Sequence, residues 1–143
     1  MKKLGYVSVN LVKDQERVMS REIADLDLKP VSEFPFHVTL MYDEQECEEP
    51  RCVINPDVTF EATVIGFKPL GKAIVMELHS IGLHREFKRL VEAGYKHSFG
   101  TALLHMSLVY NPDDYTLEIV KTGMDHWLGK TLQLTNETVR DLQ

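Results

Sequence analysis

Two seven-residue stretches, Phe36-His37-Val38-Thr39-Leu40-Met41-Tyr42 and Leu104-His105-Met106-Ser107-Leu108-Val109-Tyr110, align without a gap, 68 residues apart. Their β-branched, aromatic and alternating content predicts two strands. On a strand, residues i and i+2 share a face. His37 therefore projects with Thr39, and His105 with Ser107. Val38, Leu40 and Tyr42, and likewise Met106, Leu108 and Tyr110, are expected to face the other way into apolar packing. Each half of the chain thus carries one imidazole beside one hydroxyl on an otherwise apolar strand. A lone His-x-Thr reads as an ordinary hydrogen-bonded pair. Two copies in matching contexts are hard to attribute to packing, which does not demand a repeated histidine on a polar face.

The rest of the sequence supplies elements around these strands. Residues 4–12 alternate, with Gly5, Val7, Val9 and Leu11 on one face and Tyr6, Ser8 and Asn10 on the other. A charged helix is expected from about Asp14 to Asp25, burying Val18, Met19, Ile23 and Leu26. Strands are expected at 58–67, 72–79 and 131–140, the last with a bulge at Asn136. Ser80 is placed to cap a second helix that Gly94 ends, with Leu83, Phe87, Leu90 and Val91 inward. A third helix should run from Asp113 or Asp114 to Gly129, burying Leu117, Val120, Met124 and Trp127. No linker, repeat break or low-complexity tract divides the 143 residues. The expectation is one α+β domain of six or seven strands and three helices.

Composition narrows the function. Sixteen Lys and Arg against 22 Asp and Glu leave a net charge of -6. Affinity for long nucleic acids comes largely from basic side chains neutralising phosphates, so a DNA or RNA polymer is a poor partner for this chain, whereas a small ligand is not excluded. No apolar run is long enough to span a bilayer, and no membrane partner is expected. Met1-Lys2-Lys3 imitates a signal peptide, but the stretch after it contains Ser8 and Asn10 and reads as a strand. Cys47 and Cys52 share the acidic loop Glu-Cys-Glu-Glu-Pro-Arg-Cys without further zinc ligands, which suits free thiols in a reducing cytoplasm. The loop's carboxylates, Asp43, Glu44, Glu46, Glu48 and Glu49, read as a solvated charge run. His79, His84, His97 and His126 show no metal-ligand spacing.

If the two halves converge on one cleft, His37 and His105 form an acid–base pair. One imidazole removes a proton from a nucleophile and the other protonates a leaving oxygen. Thr39 and Ser107 would hold non-bridging phosphate oxygens, where charge must be stabilised. The doubled His-x-Thr/Ser motif resembles the 2H phosphoesterase superfamily, with serine replacing threonine in the second copy. That resemblance implies a two-lobed, pseudo-symmetric α+β domain with antiparallel sheets around a central groove. It also implies cleavage of nucleotide phosphodiesters with no metal and no cofactor. Within the superfamily the layout is most similar to phage anti-CBASS nucleases, which degrade cyclic di- and trinucleotide immune signals. This implies a cytoplasmic hydrolase acting during phage immune evasion, with a cyclic oligonucleotide as its partner. Tyr6 and Phe67 are candidate base-stacking rings, though both also read as core or edge aromatics. The layout adds Lys13 as a phosphate contact. An RNA-end enzyme acting on 2′,3′-cyclic phosphates or 2′-5′ linkages, and a nucleotide-binding module without turnover, remain as alternatives.

Overall fold

The computed structural model describes residues 3–31, 36–54, 56–98 and 104–142. Among them are six strands: β1 (Tyr6–Leu11), β2 (His37–Tyr42), β3 (Phe60–Leu70), β4 (Ala73–His79), β5 (His105–Tyr110) and β6 (Thr131–Arg140). The helices are α1 (Lys13–Asp25), α2 (Ile81–Glu92) and α3 (Thr116–Gly123). The chain is α+β, as its patterning predicts. No helix among the described residues is long and apolar enough to cross a membrane.

Local chemistry accounts for most boundaries. Ser80 Oγ accepts the Leu83 N–H at 3.0 Å and opens α2, satisfying one of the helix's orphan donors. Just past its end, Gly94 takes φ +112°. The buried stripes are narrower than the sequence suggests: Met19 and Ile23 on α1, Leu83 and Leu90 on α2. Val18 and Val91 are exposed, because each sits about 100° of helical rotation from its buried neighbour. The third helix is also shorter than expected. It ends at Gly123, where a Cβ would collide with the Leu26 side chain, and a 3-10 turn over Asp125–Trp127 follows. That turn is tied to α1 by the Trp127 indole N–H, which donates to Glu22 Oε2 at 2.7 Å.

All strand pairs are antiparallel, in the order β1-β2-β5-β4-β3-β6, and β6 returns to pair with β1, closing the sheet. β3 runs past the expected end at residue 67 to Leu70, turning into β4 through Gly71 at φ +59°. In β6, Asn136 adopts φ 55° where the pairing with β1 slips, which is the expected bulge.

The two motif strands bulge at matching places. Pairing of β2 with β1 steps from Ser8↔Thr39 to Val7↔Met41, leaving Leu40 extra. Pairing of β5 with β4 steps from Val75↔Ser107 to Ile74↔Val109, leaving Leu108 extra. A bulge breaks the two-residue alternation. Leu40 with Met41, and Leu108 with Val109, are therefore all buried. Simple alternation would have Tyr42 and Tyr110 continue the apolar faces. They do not: Tyr42 is half-buried and Tyr110 is 41% exposed.

One core joins Val7, Val9, Val38, Met106 and Met76 to the helix residues Met19, Ile23, Leu83 and Leu90. Full burial of such side chains is worth about 1.5–3 kcal/mol each. β1 enters this arrangement through Gly5, where an added Cβ would collide with the Asp43 carbonyl oxygen. The obstacle is backbone, which cannot swing aside. Gly5→Ala is expected to destabilise the fold by roughly 2 kcal/mol or more, read as a lowered midpoint in urea denaturation.

Candidate active site

The pairing of Val38 with Met106 across β2 and β5 brings the two motifs together. Directly opposed residues in an antiparallel pair share a face. One step either way along that pair sets His37 opposite Ser107 and Thr39 opposite His105. Each imidazole thus neighbours the hydroxyl of the other motif. Val38 and Met106 are fully buried, while His37, Thr39, His105 and Ser107 are half-buried on the opposite face.

The flanking strands extend these two rows. Ser8 and Asn10 on β1 pair with Thr39 and His37, and Glu77 and Val75 on β4 pair with His105 and Ser107. The face is therefore unequal at its two ends. The position beside His37 is an amide, and the position beside His105 is a carboxylate. Glu77 forms an ion pair with Lys68 on β3 at 3.5 Å. It lies over Gly66, where an added Cβ would come within 3.2 Å of its carboxylate. Ser8 is fully buried, and its hydroxyl finds no hydrogen-bond partner among the described residues.

Tyr6 makes the most specific contact. Its hydroxyl lies 3.0 Å from His37 Nε2 and 2.9 Å from Thr39 Oγ1, so one phenol ties both polar groups of the first motif. The Tyr6 ring meets Tyr42 edge-on at 6.2 Å. At the second motif, the position corresponding to Tyr6 on β4 is Ala73, opposite Tyr110. Tyr6 thus reaches the site by its hydroxyl as well as its ring, which strand alternation alone does not reveal.

The remaining candidates read from the sequence divide. Phe67 is only 7% exposed, sits opposite Met76 and belongs to the core; alternation sends its neighbour Lys68 to the histidine-bearing face instead. Lys13 is exposed at the start of α1, three residues beyond Asn10. His79 and His84 lie with ring centroids 6.3 Å apart, and His126 bonds Glu22 at 2.9 Å. Among the described residues, no group of three His, Cys, Asp or Glu side chains is arranged to hold a metal ion. Both cysteines are free thiols.

The acidic loop contains one carboxylate that is not solvated. Asp43 is 1% exposed. Its Oδ1 accepts the Gln45 N–H, its Oδ2 accepts the Lys96 N–H, and Arg51 approaches Oδ2 at 3.6 Å. The loop and the segment after α2 are thereby pinned at the end of β2. His97 completes that anchor by accepting the Tyr42 N–H at Nδ1, 3.0 Å away. An accepting Nδ1 places the neutral ring's proton on Nε2.

Residues 4–143 match the family described as anti-CBASS protein Acb1. The chain belongs to that family. No curated protein matches it. Membership in the Acb1 family carries an anti-CBASS function, consistent with degradation of cyclic oligonucleotides in general.

Burial holds the His97 imidazole below its ordinary value of 6.5. The unfolded chain then binds the proton more readily than the folded one. Stability contributed by neutral His97 is complete above the unfolded value and is lost as pH falls through the lower folded value. Urea denaturation of parent and His97→Asn protein should therefore differ in pH dependence. The parent should lose stability more steeply on acidification from about pH 7.5 to about pH 5. Parallel curves would remove His97 from the acid response.

Proposed function

We propose that this Acb1-family chain is a metal-independent phosphodiesterase that hydrolyses 3′-5′-linked cyclic di- and trinucleotides of CBASS-type immunity. We further propose that His37, Thr39, His105 and Ser107 are its catalytic residues, set in the two-lobed, pseudo-symmetric arrangement of 2H phosphoesterases. The observation that carries the reading is the Val38–Met106 pairing, which sets each histidine beside the other motif's hydroxyl. The recurrence of a strand–helix–strand order, β1-α1-β2 and β4-α2-β5, with matching bulges supports the pseudo-symmetry.

In this mechanism one imidazole removes the proton from the ribose 2′-hydroxyl beside the scissile phosphate. The 2′-oxygen bonds to phosphorus and the bond from phosphorus to the 5′-oxygen breaks. The second imidazole gives its proton to that departing oxygen. Thr39 and Ser107 hydrogen-bond the non-bridging oxygens, where charge accumulates. The attacking group is tethered next to phosphorus, which supplies a large effective molarity without any generated hydroxide. The product end is a 2′,3′-cyclic phosphate, opened by water with the histidines exchanging roles. Tyr6, through its hydroxyl on His37 and Thr39, keeps the first motif in register for this chemistry. Lys13 is a further phosphate contact on this reading.

The test is incubation with cyclic dinucleotides, a cyclic trinucleotide, 2′-5′ oligoadenylate and a 2′,3′-cyclic-ended oligonucleotide in excess chelator, followed by chromatography. The cyclic oligonucleotides should be cleaved, and an analogue lacking both 2′-hydroxyls should bind and resist. His37→Ala and His105→Ala should each lower turnover ~10²–10⁴-fold. Loss of all activity in chelator, restored by a divalent ion, contradicts the metal-independent step. Cleavage of the deoxy analogue at the ribose rate shows direct attack by water.

A further inference from the structure

At the end of β6 lies a cation that the mechanism leaves unused. Arg140 is the cross-strand neighbour of Tyr6, and its guanidinium lies over the Tyr6 ring, 5.4 Å from the centroid. The hydroxyl of the same ring touches His37 and Thr39. Tyr6 therefore spans the distance from the first motif to Arg140. Tyr6, Tyr42, Arg140, Asp141 and Leu142 line an open cavity of about 370 Å³.

Charge and geometry suggest what this cavity takes. Lys68, Arg51 and Arg89 are engaged by Glu77, Asp43 and Glu86. Arg140 makes no ion pair among the described residues. Asp141, which lines the same cavity, accepts the Lys3 backbone N–H on Oδ1 at 2.8 Å. Stacking occupies one face of the guanidinium and leaves its in-plane N–H donors at the edge. That edge is a planar fork of charged donors, which suits bidentate recognition of a phosphate.

A cyclic dinucleotide has two phosphates, one nucleoside apart in either direction round the ring. An enzyme that cuts one must accommodate the other nearby, and in a chain of net charge -6 a cation beside the site, outside any ion pair among the described residues, favours that. We infer that Arg140 binds the phosphodiester that is not being cleaved. The inference rests on the phosphodiesterase reading and adds a residue that selects for cyclic, doubly charged substrates.

The test compares the parent and Arg140→Ala proteins on two substrates with the same bases and 3′-5′ linkage. One is a cyclic dinucleotide, with two phosphates; the other is a dinucleoside monophosphate, with one. The KM for the cyclic substrate should rise about tenfold in Arg140→Ala, with kcat nearly unchanged and both constants unchanged for the monophosphate. An equal rise on both substrates would mean that Arg140 touches a base or acts through Tyr6, and would overturn the inference. No change on either would overturn it as well. Calorimetric binding of both compounds makes the same discrimination without turnover. A parent protein that binds the cyclic compound through Arg140 without cleaving it would refute the phosphodiesterase reading alone.

Discussion

A single antiparallel contact, Val38 opposite Met106, organises the polar face of this molecule. Both side chains are fully buried, so the pair is held by the same apolar burial that stabilises the core. Pleating then dictates the rest. Residues one step from a buried pair must point to the opposite face, and the antiparallel sense crosses the motifs so that imidazole meets hydroxyl twice. Moving the register by one residue would bring the imidazoles and hydroxyls to the core side, at a large desolvation cost. Core packing and the polar constellation are thus one constraint seen from two sides.

The bulges at Leu40 and Leu108 serve this arrangement. Each follows the motif's hydroxyl residue and lets two consecutive apolar residues bury. Each also turns the terminal tyrosine away from the core, and for Tyr42 this creates the edge-on contact with Tyr6. The histidines have matching partners in backbone register but different neighbours in chemistry. His37 has Asn10 beside it and the Tyr6 hydroxyl on its Nε2, while His105 has Glu77 across the strand. On the proposed reading, this inequality gives an approximately twofold site a preferred direction for a substrate with two different bases.

Much of this is legible in the sequence because its signals are local. The alternation of residues 4–12, the repeated heptads, the Ser80 cap and the Asn136 bulge all depend on near neighbours. What the sequence hides depends on distant pairing. The bulges that reorient Tyr42 and Tyr110 are properties of the β1–β2 and β4–β5 registers. Phe67 enters the core because it lies opposite the buried Met76 of β4, and opposed residues share a face. Asp43 is inaccessible because the Lys96 backbone, far along the chain, closes over it together with Arg51 of its own loop. Arg140 cannot be singled out until β6 is known to pair with β1, since only that pairing lays it on Tyr6.

Two histidines that divide acid and base work leave a signature in the pH dependence of kcat/KM on a cyclic dinucleotide, and that profile tests the division most directly. The parent enzyme should give a bell, with one limb lost in His37→Ala and the other limb lost in His105→Ala. A profile without two limbs in the parent, or loss of the same limb in both variants, would contradict it.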